Sequence, residues 1–182
     1  ALAFVALPNV AVAANPTEYL DVSFGGTFAE DTYTTGGDEV AKGSVTKHGS
    51  IPTKLDGGGI TLAGGTNGVT FISTASFSAS GKVNKGFRAE MEYRTKQTPS
   101  NLATLFSAMG NIFVRANGSN LEYGFSTNPS GNTCNDYKKS VTLPSNNVKH
   151  IIQLTYLPGA DGAASTLQLK VDGVAGETAT SA

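Results

Sequence analysis

Two glutamates at alternate positions are the residues of this chain whose spacing most directly suggests catalysis. Glu90 and Glu92 flank Met91 in an alternating segment, so a strand would place both carboxylates on one face. Retaining glycosidases use such a pair, with the carboxyl groups about 5–5.5 Å apart across the scissile bond. Arg88 and Arg94 also flank the pair, and a solvated sheet face with salt bridges has the same pattern. We therefore favour a charged sheet face and keep two alternatives, a glycosidase site and a face that contacts a ligand without catalysis.

A long polar loop carries residue types that suit sugar binding. It runs from Thr127 to Ser140 and interrupts the strand pattern, and such excursions often hold binding sites. An aromatic ring can stack on a sugar face, while amides and a carboxylate can bridge its hydroxyl groups. A solvated, Asn-rich turn with Asx hydrogen bonds is the alternative interpretation. The predicted ligand-binding residues are Tyr137, Asn128, Asn132, Asn135 and Asp136, with Arg115 and Tyr33 as weaker candidates outside the loop.

Metal chemistry has few residues available. A single cysteine, Cys134, closes no intramolecular disulfide, and with only His48 and His150 beside it a structural zinc site is excluded. No cofactor is expected other than calcium, which oxygen ligands could bind. Asp31 and Asp136 are the candidate calcium ligands, although the acidic spacing of an EF-hand loop is absent.

Histidine catalysis has little support in the sequence. Neither His48 nor His150 lies beside a Gly-x-Ser-x-Gly elbow, which would mark a catalytic serine. His150 begins an alternating strand that continues with Ile152 and Leu154. We therefore expect His150 to have a structural role, with its ring hydrogen-bonded.

Composition favours one all-β domain. The chain has 182 residues, of which 39% are hydrophobic, so it can bury a real core. Its 13 Lys and Arg residues balance 14 Asp and Glu residues in an even scatter, which argues against a nucleic-acid partner. Charged residues make up only 15%, below the roughly 25% of an average domain, and 22 glycines suit tight turns between short strands.

Apolar residues recur with a period of two along most of the chain, which predicts strands joined by turns such as Asp172-Gly173. The predicted strands lie near residues 19–24, 60–63, 69–73, 87–94, 104–109, 112–116, 121–125, 148–156 and 166–171. The predicted core consists of Phe87, Met91, Leu105, Ile112, Val114, Ile152, Leu154, Leu167 and Leu169.

The first fourteen residues form a stretch that is apolar except for Asn9 but too short to span a membrane, and they contain the pattern Ala11-x-Ala13 that signal peptidase accepts. We interpret residues 1–14 as the remnant of a secretory signal and residues 15–182 as a single domain. The expectation is export to the medium or cell surface, with no membrane span in the mature chain. The alternative is that Leu2 to Val12 form a core strand or a packed arm.

An ordered series of short strand motifs carries a family resemblance that covers about Asp21 to Gly173. The series is Gly86-Phe87-x-Ala89-Glu90-x-x-Tyr93-Arg94, Thr104-Leu105-Phe106-Ser107, Asn111-Ile112-Phe113-Val114-Arg115, Leu121-Glu122-Tyr123-Gly124-Phe125, His150-Ile151-x-x-x-Thr155-Tyr156 and Leu167-x-Leu169-x-Val171-Asp172-Gly173. It resembles the laminin G-like branch of the concanavalin A-like lectin/glucanase superfamily, in the form found appended to secreted bacterial enzymes.

The resemblance implies an all-β jelly-roll sandwich of two antiparallel sheets, with carbohydrate bound on a curved face or at the end loops and sometimes a calcium ion at the loop rim. Glucanases of this superfamily carry the pattern Glu-x-Asp-x-x-Glu. Here Thr95 stands where the acid/base glutamate would be, and the chain has no tryptophan to form a sugar platform.

These observations together predict a non-catalytic, exported accessory module. Its expected partner is a glycan or a neighbouring catalytic domain of the same polypeptide, in which case the chain is an excerpt of a longer multidomain protein. A glycoside hydrolase that uses Glu90 and Glu92 is the alternative, and a structural spacer is the second alternative.

Overall fold

All secondary structure in the described part of the chain is extended. The computed structural model describes residues 2–7, 17–56, 58–63, 65, 67–73, 78–79, 82–83, 86–99, 102–108, 111–126, 137–160 and 162–181. Within these ranges no helix is long and apolar enough to cross a membrane. The strands are β1 (Leu2–Leu7), β2 (Thr17–Val22), β3 (Thr27–Ala29), β4 (Thr32–Thr34), β5 (Val40–Ala41), β6 (Gly43–His48), β7 (Thr53–Lys54), β8 (Ile60–Thr61), β9 (Gly68–Ser73), β10 (Ser78–Ala79), β11 (Lys82–Val83), β12 (Gly86–Tyr93), β13 (Ala103–Ala108), β14 (Ile112–Asn117), β15 (Asn120–Phe125), β16 (Tyr137–Thr142), β17 (His150–Leu157), β18 (Thr166–Val171), β19 (Val174–Ala175) and β20 (Ala179–Thr180).

Two antiparallel sheets form the body of the structure. The larger has eight strands in the order β19-β18-β17-β12-β1-β2-β5, with β20 beside β18. The smaller is the meander β13-β14-β15-β16. A further sheet, β3-β4-β6-β9, and the ribbons β7-β8 and β10-β11 complete the described strands. The predicted all-β class is confirmed, and the jelly-roll topology stays a prediction.

The two main sheets pack face to face on one core. The ring of Phe87 in β12 lies 6.2 Å from that of Phe106 in β13, and Tyr156 in β17 lies 6.2 Å from Phe125 in β15. Alternation along each strand puts one set of side chains on this inner side, which is the arrangement of a β-sandwich. Of the predicted core, Phe87, Ile112, Val114, Ile152, Leu154, Leu167 and Leu169 are buried, and Met91 and Leu105 are half-buried against them.

Strand β16 differs from the sequence expectation. The polar loop was predicted to extend to Ser140, but Tyr137–Thr142 pairs with β15 along its whole length. Lys138, Lys139 and Ser140 interrupt the alternation of apolar and polar residues, so the local sequence does not predict a strand here. The strand forms because β15 offers an unpaired edge, and Gly124 permits the approach, since a Cβ there would collide with the carbonyl oxygen of Tyr137.

The segment interpreted as a signal remnant contributes a strand. Residues Leu2–Leu7 form β1, which pairs with β12 on one side and with β2 on the other. This arrangement is the core-strand alternative that the sequence left open. Cleavage near Ala13 stays a prediction, because residues 8–16 lie outside the described ranges.

Candidate functional site

Most of the predicted ligand loop lies outside the described residues. Asn128, Asn132, Asn135 and Asp136 are among residues 127–136, and so is Cys134. The described end of the loop is Tyr137, which begins β16 opposite Phe125 and packs, half-buried, against the core. Its ring therefore contributes to the packing of the core, and a contact with a ligand stays a prediction.

Two other predicted site residues, Tyr33 and Asp31, are engaged in contacts within the fold. Tyr33 in β4 is buried, and its ring packs 4.9 Å from Phe28. Asp31 is exposed, and its carboxylate pairs with Lys47 Nζ at 2.8 Å, a hydrogen bond that lowers the pKa of Asp31. Among the described residues no three His, Cys, Asp or Glu side chains are grouped as a metal site would require.

A buried carboxylate on the smaller sheet is the feature that sequence analysis missed. Glu122 in β15 is only 6% exposed, and it stands directly opposite Arg115 in β14. Arg115 donates from Nε at 2.9 Å and Nη2 at 2.8 Å to Oε2 of Glu122. Asn117 Nδ2 at 3.1 Å and Lys138 Nζ at 2.8 Å both donate to Oε1. The two strands that flank β15, namely β14 and β16, thus supply the donors, because residues opposite or diagonal across neighbouring strands share a face.

Electrostatics keep Glu122 ionised despite its burial. Desolvation alone would raise the pKa of this carboxyl group. The hydrogen bonds from Lys138, Asn117 and Arg115 outweigh desolvation and hold the pKa of Glu122 below its ordinary value. Arg115 also makes a cation–π contact, since its guanidinium lies over the Phe113 ring, 4.9 Å from the ring centre.

A hollow of about 210 Å³ opens beside this carboxylate, lined by Glu122, Lys138, Lys139, Ser140 and Glu177. We call it the Glu122 hollow. Its far wall is a second ion pair, Lys139 Nζ to Glu177 Oε2 at 2.6 Å, which lowers the pKa of Glu177. The backbone of Glu177 is held there because the Tyr123 hydroxyl donates to its carbonyl oxygen at 2.5 Å. The lining offers charged donors and acceptors to a small polar ligand.

The glutamate pair on β12 is engaged by the neighbouring strand and its preceding turn. Glu90 Oε2 accepts from Gln153 Nε2 at 2.7 Å, and Glu92 Oε1 pairs with Lys149 Nζ at 3.0 Å. The hydrogen bond from Lys149 lowers the pKa of Glu92. A general acid needs a raised pKa, so Glu92 as placed here suits an ionised surface group better.

One cluster has the connectivity of a catalytic triad. His150 Nδ1 lies 2.7 Å from Asp172 Oδ2, and Nε2 lies 3.3 Å from Ser145 Oγ. The same Nε2 lies closer, at 3.1 Å, to the carbonyl oxygen of Ser145, which can only accept. The nearer partner of Nε2 is therefore a backbone acceptor and not the serine hydroxyl group. These contacts connect Ser145, the start of β17 and the turn at Asp172, and the structural role of His150 stays a prediction.

Another carboxylate organises the loops around β4. Glu39 accepts from Tyr33 OH at 2.6 Å, Gly36 N at 2.8 Å, Gly25 N at 2.8 Å and Ser23 Oγ at 3.0 Å. Burial opposes its ionisation, but these donors prevail and lower the pKa of Glu39 to about 2. Burial and the hydrogen bond to Glu39 raise the pKa of Tyr33 to about 12. Tyr33 is thus committed to internal bonds.

Comparison with protein-family models, with curated proteins and with solved structures found no match to this chain.

Proposed function

We propose that this chain is an exported, non-catalytic accessory module of laminin G-like, jelly-roll type, and that it binds a sugar unit of a glycan in the Glu122 hollow. The observation that carries the proposal is the buried, ionised Glu122 beside an open cavity. Burying a charge is costly, and it is tolerated here by three donor side chains, of which Lys138 also lines the cavity.

Sugar hydroxyl groups both donate and accept hydrogen bonds, so a binding site needs groups of both kinds in fixed positions. The ion pairs Glu122–Lys138 and Lys139–Glu177 supply both kinds of group. Within each pair, the lysine and the glutamate hold each other in place. Hydrogen bonds to charged groups are stronger than neutral ones. Ser140 also lines the hollow and adds a neutral hydroxyl group.

The size of the hollow limits the ligand to about one sugar ring. Its volume of about 210 Å³ is below the roughly 300–1,000 Å³ of pockets for drug-sized ligands. No aromatic ring is among the five lining residues, so stacking adds little. We expect dissociation constants near 1 mM, which correspond to about −4 kcal/mol.

The charge states of the lining support binding without hydrolysis. Glycosidases need one protonated and one ionised carboxyl group at the scissile bond. The pKa values of Glu122 and Glu177 are both lowered by their lysine partners, so both are ionised near neutral pH. Hydrolysis of β-glucans by the pure protein, lost in the Glu90→Gln/Glu92→Gln variant, would favour the glycosidase alternative instead.

The test compares two variants that each break one exposed Lys–Glu pair. Lys139→Gln alters the Glu122 hollow, whereas Lys149→Gln breaks the pair with Glu92 outside it. The full chain and both variants are screened on a glycan array, and hits are titrated by NMR. We expect Lys139→Gln to weaken binding at least about fivefold and Lys149→Gln to leave it unchanged, because exposed pairs contribute only about 0–1 kcal/mol to stability.

Equal binding by Lys139→Gln and the parent chain would move the sugar site away from the Glu122 hollow. An array without any hit would favour the other predicted roles, contact with a neighbouring catalytic domain or a structural spacer.

A further inference from the structure

The chain contains two Asn–Gly dipeptides, Asn67-Gly68 and Asn117-Gly118. Asparagine before glycine is prone to deamidation, because glycine has no side chain to hinder attack of its backbone nitrogen on the asparagine side chain. The sequence does not distinguish the two sites. The structure does, since it places them in different surroundings.

The dipeptide Asn117-Gly118 lies at the exposed end of the β14-β15 hairpin. Asn117 stands opposite Asn120, so Gly118 and Ser119 are the two residues of the turn. Gly118 has a φ of 56°, as the first central residue of a type II′ hairpin turn requires. All four residues are exposed. The backbone nitrogen of Gly118 and the side chain of Asn117 can therefore meet without disruption of a strand.

The dipeptide Asn67-Gly68 is held at both of its residues. Gly68 is the first residue of β9 and stands opposite His48 in β6. Asn67 is half-buried, and its Oδ1 accepts from the backbone N–H of Ser50 at 2.7 Å. Attack at this site requires the end of the strand to open first, and such local opening costs free energy.

The two asparagines also differ in the side-chain atom that forms the hydrogen bond. Asn117 uses its nitrogen, Nδ2, which donates to Oε1 of Glu122 at 3.1 Å. Deamidation removes this donor and puts a carboxylate in its place, and two neighbouring carboxylates repel each other. Asn67 bonds to Ser50 through its oxygen, which an aspartate retains. The same reaction is therefore more disruptive at residue 117 than at residue 67.

We propose that Asn117 is a deamidation site, and that its modification weakens the hydrogen-bonded cluster of Glu122, Arg115, Asn117 and Lys138. The backbone nitrogen of Gly118 attacks Cγ of Asn117. The N–Cγ bond forms, the Cγ–Nδ2 bond breaks, and ammonia leaves with the proton of the Gly118 nitrogen. Water then opens the resulting succinimide at either of its two carbonyl groups. One product is aspartate, and the other is isoaspartate, whose side-chain carbons become part of the backbone.

Both products lose the donor that Asn117 provides to Glu122. Isoaspartate also lengthens the backbone beside a two-residue turn, and turn length fixes the register of a hairpin. The ion pair of Arg115 with Glu122 depends on that register, because the two residues stand directly opposite each other. The effect extends to the Glu122 hollow, since Glu122 is part of its lining.

The first experiment incubates the full chain in mildly alkaline buffer made with water enriched in heavy oxygen, which labels each newly formed carboxylate. Peptide mapping by mass spectrometry follows both sites. We expect deamidation at Asn117 to be at least about fivefold faster than at Asn67, because attack at Asn67 must wait for local opening. The variant Asn117→Gln should lose the reaction at residue 117, since its longer side chain closes the ring less readily, and should leave the rate at Asn67 unchanged. Equal rates at the two sites, or an unmodified Asn117, would overturn the proposal.

The second experiment tests the consequence with two variants that make the same chemical change. Asn117→Asp and Asn67→Asp are compared with the parent chain in urea unfolding. We expect Asn117→Asp to lower the midpoint, and Asn67→Asp to lower it less, because its carboxylate still accepts from Ser50. A midpoint of Asn117→Asp equal to that of the parent would refute the effect on the cluster. These outcomes do not depend on sugar binding, which the glycan titration tests separately.

Discussion

The Nδ1 atom of His150 lies 2.7 Å from Oδ2 of Asp172, and this contact ties the first residue of β17 to the turn that follows β18. The second carboxylate oxygen, Oδ1, accepts from the backbone N–H of Ile151 at 2.8 Å. These bonds show how the side chains of His150 and Asp172 join the two strands. Both residues fix the ends of paired strands.

Replacement of Asp172 should weaken this connection in graded steps. Asp172 has a positive φ of 50°, which asparagine tolerates better than alanine does. Asp172→Asn also keeps an oxygen that can accept from Ile151. We therefore expect Asp172→Ala to lower the urea midpoint of unfolding more than Asp172→Asn. Equal midpoints for the two variants would contradict this graded expectation, and midpoints equal to that of the parent chain would show that the hydrogen bonds of Asp172 do not contribute to stability.

Acid should destabilise the protein partly through Glu39. The pKa of Glu39 is about 2 in the folded state, below its ordinary value of 4.5, so the carboxylate stabilises the fold at pH values above about 4.5. This contribution is lost progressively as the pH falls from about 4.5 towards 2. The measurement is the thermal midpoint between pH 6 and pH 2.

The variant Glu39→Gln should be less stable at pH 6 and should show a flatter decline in midpoint below pH 4.5. Asp38→Asn is the control, because Asp38 is an exposed neighbour of Glu39. An unchanged pH profile in Glu39→Gln would mean that other carboxylates govern acid unfolding.

Removal of the Glu122 carboxylate should be strongly destabilising. Glu122→Leu would leave the Arg115 side chain, 11% exposed, with its charge unpaired. Breaking a buried pair in this way costs about 3–5 kcal/mol, and we expect the lower end because Lys138 is 30% exposed. Chemical denaturation measures the loss.

The double variant Arg115→Met/Glu122→Leu should recover part of that stability, since two apolar side chains leave no buried charge. The single variants Arg115→Met and Glu122→Leu are measured beside it. If the loss of unfolding free energy in the double variant equalled the sum of the two single losses, this account of the cluster would be contradicted.

Strand β17 offers a matched pair of leucines for testing the core. Leu154 is 2% exposed and Leu157 is 49% exposed. Leu154→Ala should lower the free energy of unfolding by about 2–5 kcal/mol through lost transfer energy and a residual cavity. Leu157→Ala should change it by less than about 1 kcal/mol. Similar losses for both would mean that the sheets do not pack on this face of β17.

The local sequence determined the strands that have a clear period of two. β12, β14, β15, β17 and β18 all lie where alternation predicted them, because a half-buried strand must alternate apolar and polar residues. The pairing of Arg115 with Glu122 was also accessible from sequence, since a hairpin with a short turn fixes the register of its two strands.

Tertiary structure alone decided the features that depend on strands distant in sequence. β16 has too polar a pattern to be recognised, and Lys138 reaches Glu122 only because β15 pairs with a strand beyond residues 127–136. The sequence of β1 likewise does not indicate that this strand lies between β12 and β2. A period of two specifies which face of a strand is apolar, but not which strands lie beside it, because every strand edge presents the same backbone donors and acceptors.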